Sequence, residues 1–384
     1  MTGAEKWRSS IDDKHIYFFI SVCMFEKFFK KVVLMGAVFI CIAAGTSRVS
    51  AAIILVDTPA DILLANGCSL REAVQAANTD ADGNGCMGFG QYGNTANGGN
   101  DLILFFFFFI QIIELDSLLG TLVIQDNLPI TGNGMQNTVI DGNNAIQIFY
   151  IQAGTVVMQS LSLINGNNAQ NSGGGAILNC GILDVNNVNF TNNHASSGGA
   201  IENSTCNNNT PQLTVTDSNF TANLSDNLGG AIYSNVVTTT SISNSNFSQN
   251  IATNGKGGAI YNDSSTLIVN NSNFTNNQAA DRGGAIYTFS SNNNIVNSHF
   301  DQNIADSNGG AVYFSNNNIN QGYVMTVDTS TFTNNQSTSG SGGAIYSSSA
   351  TLNILDSDFN LNTAAVDGGA IVAYSIVANI SDSG

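Results

Sequence analysis

The chain has 384 residues and a net charge of −17, from 27 acidic and 10 basic side chains. Seven of the basic residues lie within the first 51, so residues 52–384 hold only Arg71, Lys256 and Arg282 against 23 acids, a net −20. Such a surface repels phosphate backbones and excludes nucleic acid as a partner. Only 10% of residues are charged, whereas 55 are Asn and 39 are Gly. That composition suits turn-rich β structure more than helices, and 43% apolar residues suffice for a core and speak against disorder.

Residues 1–51 read as a leader. An uncharged run, residues 32–44, follows Lys30 and Lys31 and precedes Val49-Ser50-Ala51, the layout of a secretory signal peptide cut after Ala51. The run is shorter than the ~20 apolar residues a membrane span needs, so no span is expected in the mature chain; an uncleaved N-terminal anchor is the competing reading. Met24 opens a more compact start, MFEKFFKK, which makes residues 1–23 an over-extended gene start.

Residues 52–100 read as a cap. After a strand at Ile53-Ile54-Leu55-Val56, Ser69 and Glu72 stand at capping-box spacing, with Leu70, Ala73, Val74 and Ala77 on one face. This predicts a short amphipathic helix that covers the open end of the downstream strands; a catalytic Arg71-Glu72 pair is the competing reading. The mature chain keeps Cys68, Cys86, Cys180 and Cys206, an even number suited to an oxidising compartment. Pairing Cys68 with Cys86 and Cys180 with Cys206 is the simplest of the three connectivities. Asp80, Asp82 and Asn84 match the opening ligands of a calcium loop, but position twelve is Gln91 where such loops carry a bidentate Glu. A turn closed by the first disulfide is the preferred reading, with calcium the alternative, and no cofactor is otherwise expected.

Residues 101–384 are dominated by repetition. The run LILFFFFFIQII at residues 102–113 is too short to span a bilayer; it reads as one or two buried strands or as a coding error around Phe105–Phe109. Residues 120–170 hold diverged strands such as Thr121-Leu122-Val123-Ile124, Thr138-Val139-Ile140 and Val156-Val157-Met158. From Gly174 onward, Gly-Gly-Ala-Ile/Val recurs at Gly174, Gly198, Gly229, Gly257, Gly283, Gly309, Gly342 and Gly368. It alternates with Phe-x-x-Asn at Phe190, Phe220, Phe247, Phe274, Phe300, Phe332 and Phe359. Five residues before each Phe stands Val or Ile (Val185, Val215, Ile242, Val269, Ile295, Val327, Ile354), and seven before it a mostly apolar residue. The step of two is strand periodicity. Three residues before the Phe, a polar residue usually followed by Ser marks a turn. A unit of about 28 residues cannot bury its apolar side alone but can against copies of itself. The fold expected is all-β, a parallel β-helix of roughly ten rungs with a small N-terminal strand-plus-helix cap.

The GGAI and FxxN pair, over about residues 174–371, resembles the repeat of the polymorphic outer membrane protein family, and Cys68-Ser69-Leu70-Arg71-Glu72-Ala73 resembles the CSLREA segment of secreted bacterial β-helix proteins. The resemblance implies a right-handed parallel β-helix displayed at the bacterial cell surface or outer membrane. Family members typically continue into an outer-membrane barrel or sorting region, whereas this chain stops at Gly384 soon after a GGAI unit. It therefore reads as truncated at the C-terminus, or else as released without its own anchor.

The column after GGAI is Leu178, Glu202, Tyr233, Tyr261, Tyr287, Tyr313, Tyr346 and Val372. With the Ile column inside, this one faces out, and its five tyrosines form an exposed aromatic ladder suited to sugar rings or a protein partner; outer-face stacking that only stiffens the structure is the alternative. Lys256 and Arg282, one repeat apart, form a small cationic spot or relieve surface charge. No rung carries a distinct cluster of acids and bases, so the expected function is contact, as an adhesin or autotransporter-passenger-like protein bound to host or neighbouring-cell glycans or proteins. The alternative is a pectate-lyase-like polysaccharide depolymerase.

Overall fold

The computed structural model describes residues 52–63, 67–81, 86, 88–89, 101–106, 110–170, 173–206, 209–235, 239–316, 321–374, 377–381 and 383. The signal peptide and Met24 start expected from the sequence fall outside these, as do Asp82, Asn84 and part of the phenylalanine run.

The described chain is a parallel β-solenoid of about ten turns. A full turn passes through four strands, for example Thr266–Asn270, Asn273–Thr275, Gln278–Ala279 and Ile286–Phe289. The first two belong to one 21-stranded sheet, the third to an eight-stranded sheet and the fourth to a ten-stranded sheet. Strands of successive turns pair in parallel and in register, so Val215 lies against Ile242, Ile242 against Val269 and Val269 against Ile295. The two-residue third strand falls where the sequence reads only as an Asn-rich turn.

Register turns every sequence column into a physical ladder. The Val/Ile column, the Phe column and the Ala and Ile of GGAI are buried in one core cluster. Phe190, Phe220, Phe247, Phe274, Phe300, Phe332 and Phe359 stack with centroids 4.6–4.9 Å apart and planes within 7°. That spacing exceeds the ring contact distance, so the rings are offset, the arrangement their quadrupoles favour.

Beside the rings runs a buried amide ladder made by the Asn of each FxxN. Asn223 Nδ2 donates to the Phe190 carbonyl at 3.0 Å and to Asn250 Oδ1 at 3.0 Å, while its own Oδ1 accepts from Asn193 N at 3.1 Å and Asn193 Nδ2 at 3.0 Å. Asn250, Asn277, Asn303 and Asn335 repeat the pattern. Each amide is satisfied by copies of itself and by backbone, which removes the penalty for burying it. A second ladder uses the Ser that follows the polar turn residue. Ser245 Oγ donates to the Ser243 carbonyl at 2.7 Å and accepts from Ser218 N at 3.2 Å, and Ser272, Ser298 and Ser330 do the same.

The corners need left-handed backbone. The residue three before each Phe (Asn187, Asp217, Asn244, Asn271, Asn297, Thr329, Asp356) has φ between 44° and 54°, the region Asn and Asp tolerate best among non-glycines. At the third corner the first Gly of GGAI takes φ of 60° to 71° from Gly198 to Gly368. The second Gly is excluded from bearing a side chain by the next turn: a Cβ on Gly258 would lie 2.0 Å from the Gly284 carbonyl oxygen.

At the N-terminal end, strand β1 (Ile53–Val56) pairs in parallel with Leu102–Phe105, and helix α1 (Leu70–Thr79) packs Leu70, Ala73, Val74 and Ala77 into the core. Each CSLREA residue has a structural task. Cys68 is bonded to Cys86; Ser69 and Glu72 close the capping box; Leu70 and Ala73 are core. Arg71 pairs through two nitrogens with Asp61 at 2.7 and 2.8 Å and donates to the carbonyls of Leu119 and Gly120 at 3.1 and 2.7 Å. Asn78 donates to the Val123 carbonyl at 2.7 Å and accepts from Gln125 N at 3.0 Å. Asn78 thus occupies backbone groups of, and just after, the first strand of the ten-stranded sheet, Leu122–Ile124, that would otherwise form part of an open edge, and Arg71 holds the turn that leads into it. Arg71 does not face Glu72, so the structure turns the catalytic-pair reading into a structural one. The run at residues 102–113 supplies two strands, Leu102–Phe105 and Gln111–Glu114, with Ile103, Phe105 and Ile113 buried.

Replacing Asn277 by Ala leaves Asn250 N, Asn250 Nδ2 and the Phe247 carbonyl without their partner, at a cost of roughly 3 kcal/mol in chemical denaturation, from about one to three per stranded group. Asn273→Ala, on the exposed side one strand earlier, shifts stability by only about 0.5 kcal/mol. Arg71→Met strands the Asp61 carboxylate, only 2% exposed, and costs about 3 kcal/mol. Hydrogen exchange locates that loss at Leu122–Ile124, and adding Asp61→Asn recovers part of it.

Candidate functional site

Strand alternation on the ten-stranded sheet sends Ile232, Ile260, Ile286, Val312 and Ile345 inward and the next residue outward. Register then stacks Leu178, Glu202, Tyr233, Tyr261, Tyr287, Tyr313, Tyr346 and Val372 in one column. The aromatic part forms a cluster separate from the core, with Leu228 and Phe289 packed on it. Tyr261, Tyr287, Tyr313 and Tyr346 lie 4.9–5.1 Å apart with planes within 8°, and Tyr233 and Tyr374 close the two ends tilted by 34° and 58°.

The tyrosine ladder is on the outer side as expected, but it is not exposed. Tyr261, Tyr287 and Tyr313 keep only 8%, 4% and 6% of their surface, because rings in register cover each other's faces. The two solenoid cations cover more: Lys256 Nζ sits 4.9 Å from the Tyr287 centroid and the Arg282 guanidinium 5.2 Å from that of Tyr313. Arg282 also reaches the Tyr313 hydroxyl at 3.4 Å and Asp281 at 3.3 Å. The equivalent positions of Lys256 and Arg282 thus become two cation–π contacts one turn apart.

Burial governs the electrostatics here. Loss of solvent pushes the Tyr233 hydroxyl up to about 12, helped by Glu202 and Asp263, and the Tyr287 hydroxyl to about 12, helped by Tyr313. Tyr261 is raised by burial and by the negative charge of the nearby Asp263. Glu202, at the end of the tyrosine column, is raised by burial, which outweighs its hydrogen bonds from Ser204 Oγ at 3.0 Å and Gly173 N at 2.8 Å. Sequence alone does not single out Asp263, although it stands two residues after Tyr261 on one strand and so shares its outward side.

Of the remaining predicted residues, Cys180 and Cys206 are bonded, as are Cys68 and Cys86. Asp80 ends helix α1 in the left-handed region at φ 51°, while Asp82 and Asn84 lie outside the described residues. Among the described residues no group of three or more His, Cys, Asp or Glu is placed to hold a metal, and no helix is long and apolar enough to cross a membrane.

Five segments, residues 187–204, 244–263, 271–289, 297–315 and 329–348, match the Chlamydia polymorphic membrane protein repeat. Each begins on the left-handed corner residue before the Phe and ends on the strand that bears the outer column, so the matched unit holds the Phe, the ladder Asn and GGAI. Among solved structures, Geobacillus virus E2 ORF18 aligns at 12% identity over 71% of this chain and 53% of its own, with a TM-score of 0.29. The chain thus spans about half of that protein's length, and the likeness is too slight to carry an argument. No curated protein matches the chain.

Glu202→Gln removes the charge and keeps one acceptor, its amide oxygen toward Gly173 N, while its NH2 donates to the Ser204 hydroxyl, which can turn to accept. The folded-state pKa of Glu202 is raised, so the wild-type penalty is absent below its unfolded value and grows as pH rises toward the folded one. Thermal melts therefore show the variant more stable at pH 7, with the advantage gone below the ordinary carboxylate range. The chain is, in its described part, a β-solenoid, five segments of which match the Chlamydia polymorphic membrane protein repeat.

Proposed function

We propose that this is a secreted or surface-displayed solenoid that works by contact, as an adhesin or passenger-like protein, with the tyrosine strip and its two cations as the contact surface. The observation that carries this reading is the uniformity of the turns: the repeat keeps the same chemistry from one turn to the next, as a binding surface permits and as a catalytic centre would interrupt. The repeat and the solenoid fit a surface-displayed β-helix protein, and the N-terminal leader read from sequence supplies a route of export.

The strip has features of recognition. Its hydroxyls recur once per turn at the pitch of the ring stack, and Lys256 and Arg282 are the only basic residues beyond Arg71 in residues 52–384. Both lie on this strip. Glycans or proteins of host or neighbouring cells that present regularly spaced hydroxyl or carboxylate groups match it, through hydrogen bonds to phenol edges rather than stacking on ring faces.

The combined variant Tyr261→Phe, Tyr287→Phe, Tyr313→Phe with Lys256→Ala and Arg282→Ala preserves the stacked rings. Solid-phase binding of the purified protein to cell-surface glycans and to cells falls about tenfold or more in that variant, a loss of at least ~1.4 kcal/mol, with little change in melting temperature. Unchanged binding overturns the strip as the contact surface. Release of reducing or unsaturated ends from acidic polysaccharides would replace the contact reading by a depolymerase.

A further inference from the structure

We infer that the stacked tyrosines are an oxidative cross-linking site, at which neighbouring turns become joined by dityrosine bonds, with Tyr261 the first ring oxidised. This goes beyond contact binding and does not depend on it.

Three observations carry it. Tyr261 and Tyr287 lie with centroids 4.9 Å apart and planes within 8°, and Tyr287 and Tyr313 5.0 Å apart within 3°. In a parallel in-register stack, equivalent ring carbons, those ortho to the hydroxyl included, lie about one stack spacing from their counterparts on the next turn. Second, a neutral phenol must shed its proton along with its electron, and the groups available to take it differ along the stack. The Asp263 carboxylate stands two residues on along the Tyr261 strand, on the same outward side, a proton acceptor close at hand, whereas Tyr287 has the neutral Ser315 hydroxyl and the Arg282 cation near it. Lys256 and Arg282 stand over the rings of Tyr287 and Tyr313, and a positive charge there disfavours removing an electron first from those rings. Third, the three central rings are almost wholly covered on strands paired to both neighbouring turns. A phenoxyl radical formed among them is held against a ring of the same molecule and away from other molecules.

The chemistry balances with a peroxide oxidant acting through a haem peroxidase. Each of two rings loses one electron and its phenolic proton to give a neutral phenoxyl radical. The two radicals couple through ortho carbons, and the rings regain aromaticity as the ortho hydrogens move to oxygen. Overall two ring C–H bonds are replaced by one C–C bond, and the two electrons and two protons released reduce one hydrogen peroxide to two waters. The product ties together residues about one turn apart, across a gap otherwise bridged by hydrogen bonds and ring contacts.

Solvent access predicts a different outcome, which makes the test decisive. Tyr374 is 63% exposed and, with the half-buried Tyr150 and Tyr323, would react first if exposure ruled. The dilute full chain is treated with a haem peroxidase and hydrogen peroxide, dityrosine emission is followed, and cross-linked peptides are mapped by mass spectrometry. The expected result is an intramolecular Tyr261–Tyr287 link as the main product, with Tyr287–Tyr313 next. Tyr287→Phe, which keeps the ring, removes the main product, and Asp263→Asn lowers the yield severalfold while the circular dichroism spectrum is retained. Links dominated by Tyr374, Tyr323 or Tyr150, or by dimers between chains, overturn the proposal, as does a yield indifferent to Asp263→Asn in a folded protein. If Asp263→Asn fails to fold, the position of the links in the wild-type chain decides alone.

Discussion

The rest of the structure depends on the asparagine ladder. A parallel solenoid must hold each turn at one height and one register against the next, and hydrophobic contact, which is non-directional, cannot select between slipped alternatives. The FxxN amides can. Each reaches back to the carbonyl of the Phe one turn before and forward to the amide of the next turn, so a slip of one residue would strand donors and acceptors in a dry interior. The offset phenylalanine stack then fills the space that this register defines, and the serine ladder repeats the logic at the neighbouring corner.

In-register stacking also explains a composition that looks odd at first. Every side chain meets its own kind one strand spacing away, about 4.8 Å, so the fold favours residues that interact well with themselves. Asn, Ser and Thr hydrogen-bond their equals, Phe and Tyr stack, and Val and Ile pack. A column of like charges would repel by about 1 kcal/mol per neighbour even in water, and more where solvent is excluded. In the regular turns Asp217 accordingly lies between Asn187 and Asn244, and Asp301 between Thr275 and Thr333, whereas in the diverged early turns Glu114 does stand against Asp141. The scarcity of charge thus follows from the architecture, and the net −20 is spread along it rather than gathered.

Much of this is legible in the sequence. Val/Ile and Phe columns at fixed spacing give strand pairing, the capping box and its apolar face give helix α1, and the cysteine couples pair as the simplest connectivity. Two features are not. The FxxN asparagine looks like a turn residue because Asn is usually exposed, and the groups that satisfy it in the interior lie a full repeat away. Its signal is invariance: the position just before it varies among Asn, Ala, Gln and Leu, whereas it is Asn in every copy. The tyrosine column falls on the correct side, but strand alternation says only which way a side chain points. That the rings cover one another follows from their register, and that Lys256 and Arg282 cover two of them follows from the path of the GGAI corner.

The first turn differs from the middle of the stack for the same physical reason. Inside the stack, each turn is satisfied by the turns on either side, so its sequence need only resemble its neighbours. The first turn has no predecessor and must be satisfied by something that is not a repeat. Here that is helix α1, with Asn78 standing in for strand backbone at the edge of Leu122–Ile124, Arg71 holding the turn before that strand and the Cys68–Cys86 disulfide fixing the start of the helix. This is why the segment Cys68–Ala73 stands apart from the repeats: its residues answer to one geometric problem that arises once, whereas those of GGAI and FxxN answer to a problem that recurs at every turn.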